Sequence, residues 1–323
     1  MSGGIFTISL DFELFWGVRD HRTLKTYGNN IRNVHTVVPE LLRLFRKYEI
    51  HCTWATVGML FHRDKSSLLS KLPAHLPTYI KDAYDPYPYI HNNELEAVYH
   101  FAPDLIKQIR TTPGQELGTH TYSHFYTLEA NTTLAQFADD IRMAIEVARE
   151  NGITINSIVF PRNQYSEEHI AVCRQMGIKT YRGNEFSRVY KPASRSEENL
   201  FRRGIRLVDS FINLTGHHCH AVPDRNAGIV NIPASRFLRP YHPRLAAAEG
   251  LKFRRIKKSL KYAADHGLLF HLWWHPHNFG SYTEKNFSFL EKVLEEYRRL
   301  NEAGKMQSLN MNELYQRLVN GAI

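Results

Sequence analysis

The sequence is poor in cysteine, with only Cys52, Cys173 and Cys219 among 323 residues. So few cysteines, so widely spaced, exclude a disulfide scaffold and a zinc site built from cysteines alone. No apolar run is long enough to span a bilayer. The start of the chain also lacks a basic segment followed by an apolar one, so it does not read as a signal peptide. We therefore expect a cytoplasmic protein without a transmembrane segment.

Acidic residues are outnumbered: 41 Lys and Arg stand against 32 Asp and Glu, a formal net charge of +9. Such an excess is typical of proteins that bind nucleic acid, an anionic membrane surface or an acidic substrate. No recognition helix, zinc finger or RNA-binding motif is visible, so we expect no nucleic-acid partner. Residues 252–261 alternate basic and apolar side chains and predict an amphipathic helix with a positive outer face. That face is either simply solvated or a peripheral contact with an anionic membrane.

Gly/Ser linkers and internal repeats are absent, while short apolar strands alternate with amphipathic helices from end to end. The first strand is expected at Ile5–Glu13, and a helix is expected to begin at Pro39 and end at Tyr48. This alternation predicts an α/β fold around a parallel sheet, either open or closed into a barrel. We expect a single catalytic domain over residues 1–323, with a loop and helix excursion at about residues 65–100.

Chemistry in α/β folds collects where the strands end, so the polar residues at those points are the candidates. Asp11 and Glu13 lie two residues apart after the first apolar run and should share one face of the strand. His120 and His124 lie four residues apart, a spacing that brings both rings together in one helical turn. Two histidines and a carboxylate are a donor set that catalytic zinc accepts.

Two later strand ends add candidates for acid–base chemistry. After Phe160 comes a turn before a helix N-terminus, where free backbone N–H groups are suited to an oxyanion hole and Arg162 to orienting a carboxylate. His275 is the last residue before Pro276 and stands where the late apolar strand ends, a position suited to a general acid or base.

Four further residues are candidates for substrate contact. Trp16 and Trp273 have aromatic faces of the kind that stack on sugar rings, or alternatively fill the barrel core. Arg236 and Arg239 follow a predicted strand that ends at Ile232 and can bind a phosphate or carboxylate, or pair with structural acids.

Taken in chain order, these residues resemble the motifs of a known family. The segments are Asp11-Phe12-Glu13, His120-Thr121-Tyr122-Ser123-His124, Arg162-Asn163-Gln164-Tyr165 and the late His275. Together they resemble a divergent branch of the polysaccharide deacetylase (NodB-homology) family. The resemblance implies a deformed (β/α) barrel, usually seven-stranded, and metal-dependent removal of an acetyl group from an N-acetylated sugar.

The resemblance also implies roles for single residues. His120 and His124 match the metal histidines, and Asp11 matches the catalytic base. Arg162 matches the arginine that orients this base, Tyr165 the tyrosine whose backbone N–H joins the oxyanion hole, and His275 the general acid. The implied cofactor is a divalent metal, with zinc favoured and cobalt, manganese or nickel as alternatives.

The first and third motifs depart from the common pattern. Phe12 stands where the family usually has a second aspartate, so Glu13 is the expected metal ligand, and the roles of Asp11 and Glu13 are open to exchange. Asn163 and Gln164 stand where prolines are usual. The expected substrate is an N-acetylated saccharide or its nucleotide- or lipid-linked precursor, which can bear phosphate. Two alternatives are a metal-dependent hydrolase of a cyclic amide or imide and a non-catalytic carbohydrate-binding protein. The oligomeric state stays open.

Overall fold

A computed structural model of the chain describes residues 3–190, 200–223 and 228–321. Nine strands within these residues form one sheet, and every paired ladder in it is parallel. The strands are β1 (Gly4–Phe12), β2 (Cys52–Thr56), β3 (Gln115–Thr119), β4 (Ser157–Ile158), β5 (Thr180–Tyr181), β6 (Val230–Asn231), β7 (Arg236–Phe237), β8 (Leu269–Trp274) and β9 (Met306–Ser308).

The strands follow the order β6-β5-β4-β3-β2-β1-β8-β7, with β9 paired to the start of β1. The path holds eight strands where the family resemblance implied seven, because β6 and β7 are two parts of one stretch of chain. In that stretch the Ile232 amide donates to the Tyr181 carbonyl, whereas the Ser235 amide donates to the His271 carbonyl. The same stretch therefore bonds to β5 at its beginning and to β8 at its end. It draws the curled sheet into a deformed barrel.

Twelve α-helices within the described residues surround this sheet. They are α1 (Leu24–Arg32), α2 (Val34–Lys47), α3 (Lys65–Leu69), α4 (Pro86–Asn92), α5 (Ala97–His100), α6 (Pro103–Thr111), α7 (Leu134–Glu150), α8 (Glu167–Gln175), α9 (Leu200–Asp209), α10 (Glu249–His266), α11 (Thr283–Glu302) and α12 (Met311–Val319). Among them, no helix combines the length and the apolar character that a membrane span needs.

The central strand β1 is buried along its whole length, since it pairs with β2 and β8 and helices cover the barrel. Burial on both faces is typical of parallel sheets, and here it includes the polar side chains of Thr7, Ser9 and Asp11, which alternate with apolar residues along the strand. The predicted start of the helix expected at Pro39–Tyr48 is wrong. That helix is α2, which begins at Val34, so Pro39 lies inside it rather than in its first turn.

The predicted positive outer face of α10 does not include two of the basic residues of the helix. Lys252 and Arg255 are each only 3% exposed. Lys252 donates to the Arg239 carbonyl, and Arg255 contacts Asp209. Only the remaining basic residues of the helix, such as Arg254, face solvent.

The segment expected to leave the alternation, residues 65–100, contains the short helices α3, α4 and α5. It packs closely on the barrel: Tyr84 is buried, with its ring 5.1 Å from that of Tyr126. The excursion thus supplies one side of the region where the strands β1 and β3 end.

Candidate active site

A cleft of about 1070 Å³ opens at the carboxyl ends of the barrel strands. Asp11, Glu13, His120, His124 and His275, all predicted from the sequence, line this cleft. Their presence in one place follows from the parallel sheet, because every strand delivers its last residues to the same end.

The carboxylates of Asp11 and Glu13 lie in the cleft because β1 ends there. Asp11 lies in the strand and Glu13 just after it, and each is 3% exposed. A side chain at Gly17 would collide with the Glu13 carboxylate, since a Cβ placed there would come within 1.9 Å of it. Glycine at this position therefore leaves room for Glu13 to point into the cleft.

His120 and His124 meet with their ring centroids 5.0 Å apart, as their spacing predicted. The expected helical turn between them is wrong, however. β3 ends at Thr119, and Thr121 and His124 adopt positive φ angles of 65° and 60°. Such left-handed positions are unfavourable for these residues, at about 1 kcal/mol or more each, unless surrounding contacts enforce them.

The contact that fixes this turn comes from Asp140 on α7. Its carboxylate accepts hydrogen bonds from the Tyr122 amide at 2.6 Å and the Ser123 amide at 3.1 Å, and also from the Ser123 hydroxyl. Asp140 is 1% exposed, and burial raises its pKa to about 6 although these bonds oppose the rise.

We expect Asp140→Ala to lower the free energy of unfolding by about 3 kcal/mol, because it leaves several buried donors without an acceptor. Asp140→Asn keeps one acceptor oxygen and should cost less. Asp139→Ala, on the same helix, is the control, since Asp139 bonds the exposed side chains of His75 and Arg142 instead. Chemical denaturation of the three variants checks this order, and an equal loss at both positions would refute the role given to Asp140.

The donor atoms of Glu13 and the two histidines fit a divalent metal. Glu13 Oε2 lies 3.1 Å from His124 Nε2 and 3.4 Å from His120 Nε2. Two donors bound to zinc at 2.0–2.1 Å in tetrahedral geometry lie ~3.3 Å apart. These three side chains form one of the groups in the described part of the chain that can hold a metal ion.

The hydrogen bond on the far side of His120 supports this fit. Its Nδ1–H donates to the Val159 carbonyl at 2.8 Å, so in the neutral ring Nε2 carries a lone pair. That lone pair faces a carboxylate oxygen, which is also only an acceptor. A cation or a shared proton is therefore needed between them. Such a backbone partner is the usual way in which a metal-binding histidine is held.

Electrostatics keep Glu13 ionised. Burial on its own would raise the pKa of Glu13, but the nearby histidines, His275 first and then His120, His124 and His277, outweigh it, and the pKa lies well below its usual value. Burial also lowers the pKa of His124, which favours the neutral ring that binds metals.

His277 is a site residue that the sequence analysis missed. Its Nε2 lies 3.0 Å from Glu13 Oε1, and its Nδ1 lies 2.9 Å from the Tyr27 hydroxyl. With His275 and Glu13 it forms a second group able to hold a metal. Each carboxylate oxygen of Glu13 thus faces its own pair of histidines. The sequence signal for His277 was its spacing of two residues from His275. The prediction missed it because Pro276, between the two histidines, lies outside the strand pattern.

Asp11 is held by an arginine, but not by the predicted one. Arg182, just after β5, donates from Nη1 at 2.7 Å and from Nη2 at 2.9 Å to the two oxygens of Asp11. Arg162 instead contacts Asp20 and Glu129 and lies over the Tyr126 ring. The prediction that Arg162 orients Asp11 is therefore wrong, because the residues at 162–163 turn through positive φ and direct this side chain to the other edge of the cleft.

The pKa of Asp11 reflects its partners. Burial on its own would raise it, but Arg182, His120 and His275 outweigh burial and hold the pKa below its ordinary value. His275 Nε2 lies 3.6 Å from Asp11 Oδ2, and its Nδ1 is 3.3 Å from Asn278 Oδ1. His275 thus lies beside the carboxylates of Asp11 and Glu13, and the contact between its Nδ1 and Asn278 orients the ring.

The other predicted residues divide between the cleft and the core. Trp273, Arg236 and Arg239 line the cleft. For Trp16 the core alternative is correct and the predicted substrate contact is wrong: it is 2% exposed, and its indole N–H donates to the His100 carbonyl. Tyr165 is not among the residues that line the cleft, and its hydroxyl accepts from the Asn184 amide. The oxyanion role of its backbone N–H stays a prediction.

Glu185 is a second cleft residue that the sequence did not single out. It is 6% exposed, and burial raises its pKa to about 7, although its own backbone amide, Arg236 and Arg182 oppose the rise. Since the folded protein binds this proton more tightly than the unfolded chain does, Glu185 favours folding at low pH. That contribution is lost as the pH rises through 7.

We expect Glu185→Gln to flatten the pH dependence of stability by up to about 3 kcal/mol between pH 4.5 and 9, given 1.36 kcal/mol per pKa unit. Urea unfolding of metal-free protein at several pH values measures it. Glu94→Gln, which changes an exposed carboxylate, is the control and should leave the wild-type slope unchanged. Identical slopes in all three proteins would show that Glu185 titrates normally.

Comparison with known proteins finds similarity to polysaccharide deacetylases. A sequence model of the polysaccharide deacetylase family matches residues 26–181, slightly less than half of the chain. The match includes His120 and His124 and ends one residue before Arg182. A search of curated proteins found no match.

Solved structures share the fold at low sequence identity. A putative polysaccharide deacetylase from Mycobacterium smegmatis has a TM-score of 0.62 at 12% identity, covering 100% of this chain and 93% of that one. A probable polysaccharide deacetylase from Pseudomonas aeruginosa PAO1 has a TM-score of 0.55 at 12% identity, covering 98% and 92%. PuuE allantoinase has a TM-score of 0.56 at 10% identity, covering 97% and 90%. The predicted fold class and the resemblance to the polysaccharide deacetylase family are confirmed.

Proposed function

We propose that the protein is a metal-dependent hydrolase that removes an N-acetyl group from a saccharide. One observation carries the proposal: Glu13 Oε2 lies within 3.4 Å of Nε2 of both His120 and His124, in a buried cluster beside Asp11. Zinc suits this mixed nitrogen and oxygen donor set, and cobalt, manganese and nickel accept the same donors. When bound there, the metal supplies Lewis-acid polarisation of the amide carbonyl.

Asp11 is the proposed general base. Its carboxylate is ionised at neutral pH, since its pKa is held low, and it lines the cleft next to the metal ligands. Asp11 takes the proton of the attacking water, and Arg182 fixes both of its oxygens in place. We assign proton transfer to Asp11 and metal binding to Glu13. The reason is that Glu13 faces the two metal-site histidines, whereas Asp11 faces Arg182.

His275 is the proposed general acid. Protonation of the departing amine is required because an amide nitrogen is a poor leaving group. The His275 side chain is 23% exposed, which leaves it open to the cleft, and Asn278 orients its Nδ1 side. Trp273, which lies next to His275 with ring centroids 5.7 Å apart, provides an aromatic face for a sugar.

The test is acetate release by purified protein after metal removal and after readdition of zinc or cobalt. We expect release from N-acetylated mono- and oligosaccharides only with metal. Hydrolysis of a cyclic amide or imide in place of the sugars would favour the alternative hydrolase. Saccharide binding with no hydrolysis of either compound under all metal conditions would favour a non-catalytic carbohydrate-binding protein.

A further inference from the structure

One wall of the cleft is strongly cationic. Four arginines line it, two from α9 and two from the chain at and just after β7, and we call this set the arginine wall: Arg203, Arg206, Arg236 and Arg239. Glu185 is the carboxylate that accompanies them in the cleft lining on this side. Its raised pKa leaves it largely protonated below pH 7, so it offsets little of the positive charge there.

Arg236 has donors that its surroundings do not use. It is 4% exposed, and its Nη1 donates to the carbonyl oxygen and to Oδ2 of Asp209. Nε and Nη2 are buried and have no hydrogen-bond partner among the described residues. Asp209 also contacts Arg255 at 3.7 Å, so one carboxylate serves two guanidinium groups. A buried donor without an acceptor is unfavourable, and it points to an acceptor that a ligand supplies.

Arg239 shows the same imbalance. Its Nε donates to the Ser210 hydroxyl at 3.3 Å, and within the described residues no carboxylate lies in ion-pair distance of it. Burial lowers the pKa of Arg239, and the positive charge of Arg206 adds to this although Tyr190 opposes it. A half-buried guanidinium at a cleft wall, with no carboxylate partner in the described part of the chain, indicates a site for an anion.

The wall is near the reacting groups. The Arg239 guanidinium carbon lies 6.0 Å from the centre of the Phe237 ring, and that ring lies 6.0 Å from the ring of His275. Arg239 is therefore at most 12.0 Å from His275. An anion bound there belongs to the reacting sugar or to the group attached next to it.

We propose that the arginine wall binds an anionic group, phosphate or carboxylate, carried by the saccharide substrate. Arginine presents paired N–H donors that match the oxygens of either group. This inference rests on the proposed function, since it specifies the substrate of the same cleft. It also gives part of the +9 net charge a specific use.

The test measures binding separately from hydrolysis. Calorimetry with the Asp11→Asn variant compares N-acetylglucosamine with N-acetylglucosamine 1-phosphate and with an N-acetylated sugar that bears a carboxylate. We expect at least one anionic sugar to bind ~10-fold or more tightly than the neutral one, and the two anionic sugars identify which group the wall prefers. Adding Arg239→Gln or Arg203→Gln should reduce that preference while the affinity for the neutral sugar stays unchanged.

Arg254→Gln is the matched control, since it removes one exposed positive charge on α10 that does not line the cleft. It should keep the full preference. Equal affinity for neutral and anionic sugars, or equal effects of Arg254→Gln and Arg239→Gln, would overturn the proposal. If anionic sugars bind through the wall but wild-type protein releases no acetate, the proposed function fails while the anion site stands.

Discussion

Asp11→Asn should reduce turnover by about 10³-fold while the protein still binds its metal. The carboxamide cannot take a proton from water, but it preserves the shape of the side chain beside Arg182. Glu13, His120 and His124 are untouched, so metal binding should remain. Steady-state acetate release together with metal analysis of the same preparation measures both effects.

The control for this variant is Glu185→Gln, which neutralises another buried carboxyl group of the same cleft. Measured at pH 6, where Glu185 mostly carries its proton, the control should retain most of the wild-type turnover. If Asp11→Asn lost metal as well as activity, Asp11 would be a ligand, and the roles of Asp11 and Glu13 would be exchanged. Full activity of Asp11→Asn would remove it from the mechanism.

Arg182→Met should lower turnover by about 10²-fold and displace the acidic limb of the pH profile of kcat/KM to higher pH. Arg182 makes both hydrogen bonds to Asp11 and is 1% exposed. Without it, the buried carboxylate loses its counter-charge and the pKa of Asp11 rises, so the base is protonated over a wider range. Loss of fixed geometry accounts for the fall in rate.

Breaking a buried ion pair also destabilises a protein by about 3–5 kcal/mol, so Arg182→Lys is the second variant. It keeps one positive charge and should recover part of the pH profile. Arg162→Met, at the arginine predicted from the sequence, is the control and should leave the acidic limb in place. A shift of the limb in Arg162→Met and none in Arg182→Met would contradict the assignment.

The sequence predicted the residues whose position depends on a strand end alone. Asp11, His120 and His275 follow or end apolar runs, and a parallel sheet gathers all such positions at one edge. Which arginine reaches Asp11 could not be predicted in this way. Arg162 and Arg182 both follow strands of the same sheet, and the choice depends on a turn with positive φ at residues 162–163.

Two other residues show where pattern analysis fails. Trp16 lies three residues after the first motif, but a short 3-10 helix at Leu14–Gly17 turns it into the core against His100. His277 lies after Pro276, outside any strand, and reaches Glu13 only because the chain turns back there in another short 3-10 helix. In both cases a local turn, rather than periodicity, decides where the side chain points.

The central claim, that Glu13, His120 and His124 hold a divalent metal, is tested most directly by titrating metal-free protein with zinc. The wild-type protein should bind one equivalent at these residues, and His124→Ala should weaken that binding by several orders of magnitude. His75→Ala, which changes a histidine whose side chain is 70% exposed, should bind zinc as the wild type does. Wild-type protein that binds no zinc, or a His124→Ala variant that binds it with unchanged affinity, would contradict the account.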